Sequence, residues 1–160
     1  MKNTLLLALL FISLKGMAQE NLPSVKLKSV SGKIIDIKEL ANETKDTPLV
    51  ISFWASWCVP CISELDNIND ELESMQSIKK FSFFGVAIDD ARTTKKVKSF
   101  VKGKGWNFDV LLDENSELKR ALNITDVPHV LIIKNNKIVY QHTGYIAGEE
   151  VNLFEEIKKL

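Results

Sequence analysis

The chain reads as a single α/β domain: a mixed sheet of four to five strands, helices on both faces, and an N-terminal β-hairpin extension. Three observations predict it. Two short apolar runs, 49–54 (LVISFW) and 81–88 (FSFFGVAI), suit strands buried on both faces, as in a parallel core. Each is followed by a stretch with apolar residues at three- and four-residue steps, the mark of a helix with one buried stripe. The last third holds two short runs around Asn135-Asn136, a hairpin signal, and then an amphipathic helix. A length of 160 residues and a hydrophobic fraction of 45% suit one domain with a real core.

The elements follow in order. Residues 25–30 (VKLKSV) alternate apolar and polar, as a half-exposed strand does, and Ser31-Gly32 turns the chain into a second strand over 33–37. Residues 39–46 are polar and stop before Pro48, so they form a loop or a short helical turn. After the first buried strand, Pro60 suits the first turn of a helix. Ile62, Leu65, Ile68, Leu72 and Met75 then form its apolar stripe, with Glu64, Asp66, Asp70, Glu71 and Glu73 largely outside it. Thr93 or Thr94 can cap a helix carrying Val97, Phe100 and Val101 that ends at Gly103 or Gly105. Residues 108–112 add a short extended piece, and Asn115 or Ser116 caps a helix through Leu118 and Leu122. The final helix spans 149–160, with Val151, Phe154, Ile157 and Leu160 along one face. The domain covers 24–160.

The N-terminus has a different character. Lys2 precedes an almost wholly apolar run of about 11 residues, and Gly16-Met17-Ala18 places small residues before a cleavage point. This is the pattern of a secretory signal peptide over 1–18; the run is too short for a membrane span of about 20 residues. The alternative is an uncleaved anchor. Lys+Arg and Asp+Glu are both 21, which leaves no basic surplus to hold a phosphate backbone and argues against nucleic acid as a partner.

An exported chain meets an oxidising compartment, where cysteines pair or react. The two present, Cys58 and Cys61, are too close to staple distant parts of the fold. They lie at the junction of a buried strand and a helix start, in Trp57-Cys58-Val59-Pro60-Cys61. Free N–H groups and the macrodipole at a helix N-terminus favour a thiolate there, which lowers the pKa of Cys58 below the ordinary value near 8.5. Cys61, one turn deeper, can attack a mixed disulfide on Cys58 and release the partner. A zinc site needs about four ligands. The two histidines, His129 and His142, are spaced too widely for a common one, so no metal and no bound cofactor is expected beyond the cysteine pair itself.

At these residues the chain resembles the thioredoxin superfamily, and within it the TlpA/ResA-like exported branch. Phe53-Trp54-Ala55-Ser56-Trp57-Cys58-Val59-Pro60-Cys61 is similar to that family's strand–CxxC–helix motif. Residues 108–113 (FDVLLD) with Leu118 and Ala121-Leu122 are similar to the segment before its active-site loop, and Val127-Pro128 matches its cis-proline position. The resemblance implies a thioredoxin fold, Cys58 as attacking and Cys61 as resolving cysteine, and a cis Val127-Pro128 bond beside the sulfurs. It leaves the Val127 backbone free to pair with an extended substrate chain. Trp57, Val59, Pro60, Val127, Pro128 and His129 would shape the site.

It further implies an extracytoplasmic, periplasmic disulfide reductase. Electrons would come from a membrane-embedded thiol carrier and pass to protein disulfides such as those of cytochrome c precursors. A disulfide oxidase or isomerase, and a copper-handling module using both thiolates and His129, are the alternatives. A peroxidase would need a threonine three residues before Cys58, where Ala55 stands.

Three residues depart from the family pattern. Ser52 replaces the buried aspartate of thioredoxin itself. Deprotonation of Cys61 then needs water or a carboxylate such as Asp89 or Asp90, although both equally suit a solvated strand end and helix entry. His129 replaces a threonine. It would either raise the thiolate fraction of Cys58 or be hydrogen-bonded within its strand. Asp66 replaces a helix-kinking proline. Trp54 and Trp106 read as packing residues.

Overall fold

The computed structural model describes residues 22–160, so the signal-peptide expectation for 1–18 lies outside the described residues. The elements are β1 Lys26–Ser29, β2 Ile34–Asp36, α1 Ile37–Glu43, β3 Leu49–Trp54, α2 Val59–Ile78, β4 Ser82–Ala87, α3 Thr94–Lys104, β5 Asp109–Leu112, α4 Glu117–Ala121, β6 His129–Lys134, β7 Lys137–Thr143 and α5 Glu149–Lys158. They form one mixed sheet of seven strands in the order β2-β1-β5-β4-β3-β6-β7. Strands β3, β4 and β5 run parallel, and the flanking pairs are antiparallel. The strand count exceeds the four to five expected because the N-terminal hairpin is no appendage. Lys28 and Ser29 of β1 pair with Leu112 and Leu111 of β5, which extends the sheet.

β3 is buried along its whole length because helices cover both of its faces. On one face Val50 and Trp54 pack with Leu65, Ile68 and Leu72 of α2, Val97 of α3 and Ile157 of α5. On the other, Leu49, Ile51 and Phe53 pack with Ile37 of α1 and Leu118 of α4. Alternation along the strand separates the two sets. The first core carries an aromatic group: Trp54 meets Trp106 edge-on at 4.9 Å, and Trp106 stacks on Phe108 at 5.2 Å. Gly85 of β4 makes room for this group. A Cβ there would lie 3.1 Å from Trp54 Nε1 and 3.2 Å from Phe108 Cε2.

Local chemistry explains the element ends. Asp36 caps α1 by accepting from the N–H groups of Lys38 at 2.9 Å and Glu39 at 3.2 Å, so a full helix forms where a loop or single turn was expected. Gly105 closes α3 in the left-handed conformation. Asn135 and Asn136 both take positive φ, as a tight β6–β7 hairpin requires. The cap of α4 differs from expectation. Ser116 stands at the N-cap but makes no side-chain cap bond. Buried Asp113 instead accepts from the N–H groups of Glu117, Leu118 and Lys119. In α5 the buried stripe is Leu153, Phe154 and Ile157, and Val151 is exposed.

Candidate active site

The site is built where β3 ends. The turn after Trp54 is closed by the Cys58 N–H donating to the Ala55 carbonyl at 3.0 Å. Cys58 is then the N-cap of α2, with Pro60 in the first turn, where its missing N–H is no loss. Cys58 Sγ accepts from the Cys61 N–H at 3.3 Å, a bond that would stabilise negative charge on that sulfur. The two cysteines are joined as a disulfide with Cα atoms 5.3 Å apart. Both are buried, whereas Trp57 and Val59 beside them are 63% and 72% exposed. Cys58 therefore lies at the foot of an apolar rim.

The loop is anchored from the neighbouring strand. Parallel pairing of β3 and β4 brings Asp89 beside the turn. Its carboxylate accepts from the Ser56 N–H at 2.9 Å and the Ser56 hydroxyl at 2.5 Å, and its carbonyl accepts from the Thr94 hydroxyl at 2.6 Å. Asp89 is thus a buried tether of the cysteine loop. Asp90 is turned to solvent, where it accepts from Arg92 and the Thr93 N–H, and the Arg92 bonds hold its pKa down at about 2. Asp90 therefore sits at a solvated helix entry, whereas Asp89 is buried and tied to the cysteine loop.

The carboxylate beside Cys61 is Glu64, which spacing alone sets outside the apolar stripe of α2. Glu64 lies one turn further along α2, on the same face as Cys61, and is only 3% exposed. It accepts from the Ser52 hydroxyl at 3.1 Å. Burial raises its pKa from 4.5 to about 7; the Ser52 bond opposes the rise, and the charges of Glu149 and Glu150 add to it. Ser52 stands in for an aspartate only in the sense that it orients this carboxyl. A cue was present: Cys61, Glu64, Leu65 and Ile68 share the i, i+3, i+4, i+7 spacing of one face.

Val127 and Pro128 approach from the start of β6. Their peptide bond is cis. The Val127 carbonyl oxygen lies 3.8 Å from Cys58 Sγ. With the sulfurs joined there is no S–H to donate, so this becomes a hydrogen bond only when Cys58 is a thiol. The Gly144 N–H donates to the Pro128 carbonyl at 2.8 Å, tying the β7–α5 loop to the site. Asn67 of α2 also donates to the Tyr145 hydroxyl at 2.5 Å.

His129 is buried and pairs with Phe53 across β6–β3. Strand alternation sets it with Leu131 and Ile133, on the face opposite Val130, Ile132 and the helix that carries the cysteines. Its Nδ1 shares a 2.7 Å hydrogen bond with Thr143 Oγ1. Burial, and secondarily the charge of His142, lower its pKa, which favours the neutral ring at pH 7. The bond crosses from β6 to β7 rather than lying within one strand, and no hydrogen bond links His129 to either sulfur among the described residues. Among those residues, no three His, Cys, Asp or Glu side chains converge as a metal site. In place of the family's proline, Asp66 accepts from Trp106 Nε1 at 2.9 Å and Lys104 Nζ at 2.6 Å, and α2 runs unbroken for 20 residues.

A family model described as AhpC/TSA matches residues 18–142. The chain belongs to the AhpC/TSA family. Within it the chain is thioredoxin-like and an oxidoreductase of the thiol–disulfide type. It is 27% identical over 139 residues to the thiol-disulfide oxidoreductase ResA of Bacillus thuringiensis subsp. konkukian, covering 86% of this chain and 75% of the relative. The solution structure of a thioredoxin-like protein from Porphyromonas gingivalis is 39% identical, with a TM-score of 0.75 over 88% of this chain and 91% of that one. StoA from Bacillus subtilis, at 22% identity, shares the fold with a TM-score of 0.66 over 83% of this chain and 99% of its own.

Proposed function

We propose that the protein is an extracytoplasmic reductase of protein disulfides, with Cys58 as nucleophile and Cys61 as resolving cysteine. The observation that carries this reading is the placement of Cys58 at the α2 N-cap, accepting the Cys61 N–H, with the protonatable Glu64 one turn behind. In the reduced protein, the Cys58 thiolate attacks one sulfur of a substrate disulfide, and the other sulfur leaves as a thiolate that takes a proton from water. Glu64 accepts the Cys61 proton. The Cys61 thiolate then attacks Cys58 Sγ, which expels the second substrate sulfur and closes the Cys58–Cys61 disulfide. Two electrons pass from the cysteine pair to the substrate, and a membrane thiol carrier restores the pair.

Trp57, Val59, Pro60, Val127 and Pro128 form the surface against which the substrate chain lies. The pair needs no cofactor or metal of its own for this chemistry. The N-terminal pattern at 1–18 supports export, and with it a periplasmic location. No helix among the described residues is long and apolar enough to cross a membrane.

The test is Cys61→Ser, which halts exchange at the mixed disulfide. Expressed with its N-terminus intact, it should collect covalent, dithiothreitol-sensitive adducts in the cell envelope, whereas Cys58→Ser should collect none and lose all activity. Absence of adducts would reject the exchange mechanism. A reduction potential near about −120 mV, the range of a strong oxidant, would reverse the direction proposed here.

A further inference from the structure

Glu64 faces a cleft on the side of the molecule where α5 packs against β6 and β7. The cleft measures about 170 Å³ and is lined by Glu64 from α2, Tyr140 and His142 from β7, and Glu149 and Glu150 from α5. Ser52 holds one carboxyl oxygen of Glu64, and the other has no hydrogen-bond partner among the described residues. His142 spans the cleft wall. Its Nε2 is buried and makes no hydrogen bond, lying 3.4 Å from Glu149 Oε2, while its side chain as a whole is 33% exposed. One ring nitrogen thus sits inside the cleft, and the ring still reaches water.

The Cys61 proton needs such a path. During resolution the substrate is bonded to Cys58 and covers the mouth marked by Trp57 and Val59. Cys61 is fully buried, and Glu64 nearly so, on the inner side of α2. While the mixed disulfide persists the front of the site is occupied, so a proton on Glu64 exchanges with solvent only from another side. The same path supplies the proton that Cys61 regains when the pair is reduced again. The cleft is the opening on the other side. Its groups are also of the right kind: imidazole can take a proton on one nitrogen and release one from the other.

We propose that His142 is the proton-relay residue of this protein, carrying the proton between Glu64 and solvent through the α5-side cleft. This rests on the exchange reading above. His142 Nε2 takes the proton from the Glu64 carboxyl, directly or through a water in the cleft, and the ring returns to neutrality by giving a proton to bulk water. Glu149, whose Oε2 also accepts from the Ile146 N–H at 2.6 Å, stands 3.4 Å from Nε2 and faces the imidazolium while it is charged. Glu150 is otherwise engaged, accepting from the Tyr145 hydroxyl at 2.6 Å. His129, the other histidine, lies on the opposite face of the sheet and takes no part. The relay moves a proton only; the electrons stay with the sulfurs. His142 touches neither sulfur and is a positioning residue for the proton.

The test compares His142→Ala, His142→Gln and Glu64→Gln in insulin reduction under steady turnover, with and without added imidazole. Circular dichroism checks that each variant is folded; His142 is partly exposed, and two replacements guard against one failing to fold. Both His142 variants should turn over about tenfold more slowly, less than the loss for a group touching the reacting atoms. Imidazole should restore His142→Ala towards the parent rate and should leave Glu64→Gln slow. Normal turnover in the His142 variants with Glu64→Gln impaired would overturn the relay alone, as would a slow His142→Ala that imidazole fails to rescue. Normal turnover in Glu64→Gln would overturn both the relay and the role given to Glu64.

Discussion

Replacing Glu64 by glutamine separates what this residue costs the fold from what it contributes to the chemistry. The folded protein keeps the Glu64 proton up to about pH 7, because burial disfavours the carboxylate, whereas the unfolded chain releases it near 4.5. Between those values the folded state binds more protons than the unfolded state, so stability falls as pH rises. The full effect is about 3 kcal/mol, complete above pH 7 and absent below pH 4.5. Glutamine cannot ionise, yet its amide oxygen can still accept from Ser52. The Glu64→Gln protein should therefore match the parent at pH 4.5 and exceed its stability at pH 8 by up to about 3 kcal/mol, or roughly 10 °C in Tm. The same change should slow turnover by about a hundredfold, the scale of a lost acid–base group. Urea unfolding of the oxidised proteins at pH 5, 6, 7 and 8, followed by tryptophan fluorescence, gives the stability difference directly. A difference that stays constant across this range, or a parent that is the more stable protein at pH 8, would refute the reasoning and return Glu64 to the solvent side of its helix.

Two more outcomes follow from packing. Asp89→Ala removes both acceptors of Ser56 from a buried position and should lower stability by about 2–3 kcal/mol, with a faster reaction of reduced Cys58 towards bulky alkylating reagents as the loop loosens; unchanged unfolding would show that the tether carries no load. Gly85→Ala places a methyl 3.1 Å from Trp54 Nε1 and 3.2 Å from Phe108, and should cost about 1–3 kcal/mol with a changed near-ultraviolet dichroism; an unaltered spectrum and Tm would mean that the aromatic group yields without strain.

Features carried by neighbouring residues were legible in the chain itself. The apolar run of β3, the Asn135-Asn136 hairpin, a glycine stop for α3 at Gly103 or Gly105 and the Cys58–Cys61 pair at a helix mouth all depend on local sterics, hydrogen bonding or short periodicity. Asp36 shows the limit of that reading. Its spacing to Glu39 is that of a helix start, but a polar stretch after a strand is equally a loop until Ile37 has a core to enter. Val151 fits the α5 stripe by spacing alone, and only docking of α5 chose Leu153 instead.

The sequence by itself determined the order of strands and helices apart from α1, the fold family and the pairing of two cysteines at a helix start. Tertiary structure alone decided that the first hairpin joins the sheet through β5, that Asp89 tethers the cysteine loop, and that Glu64 is buried while His129 faces away. The reason is physical. A carboxyl's proton affinity and a histidine's neighbours depend on the solvent excluded around them, and that exclusion comes from segments far apart in the chain, here β3, β7 and α5 closing around one turn of α2.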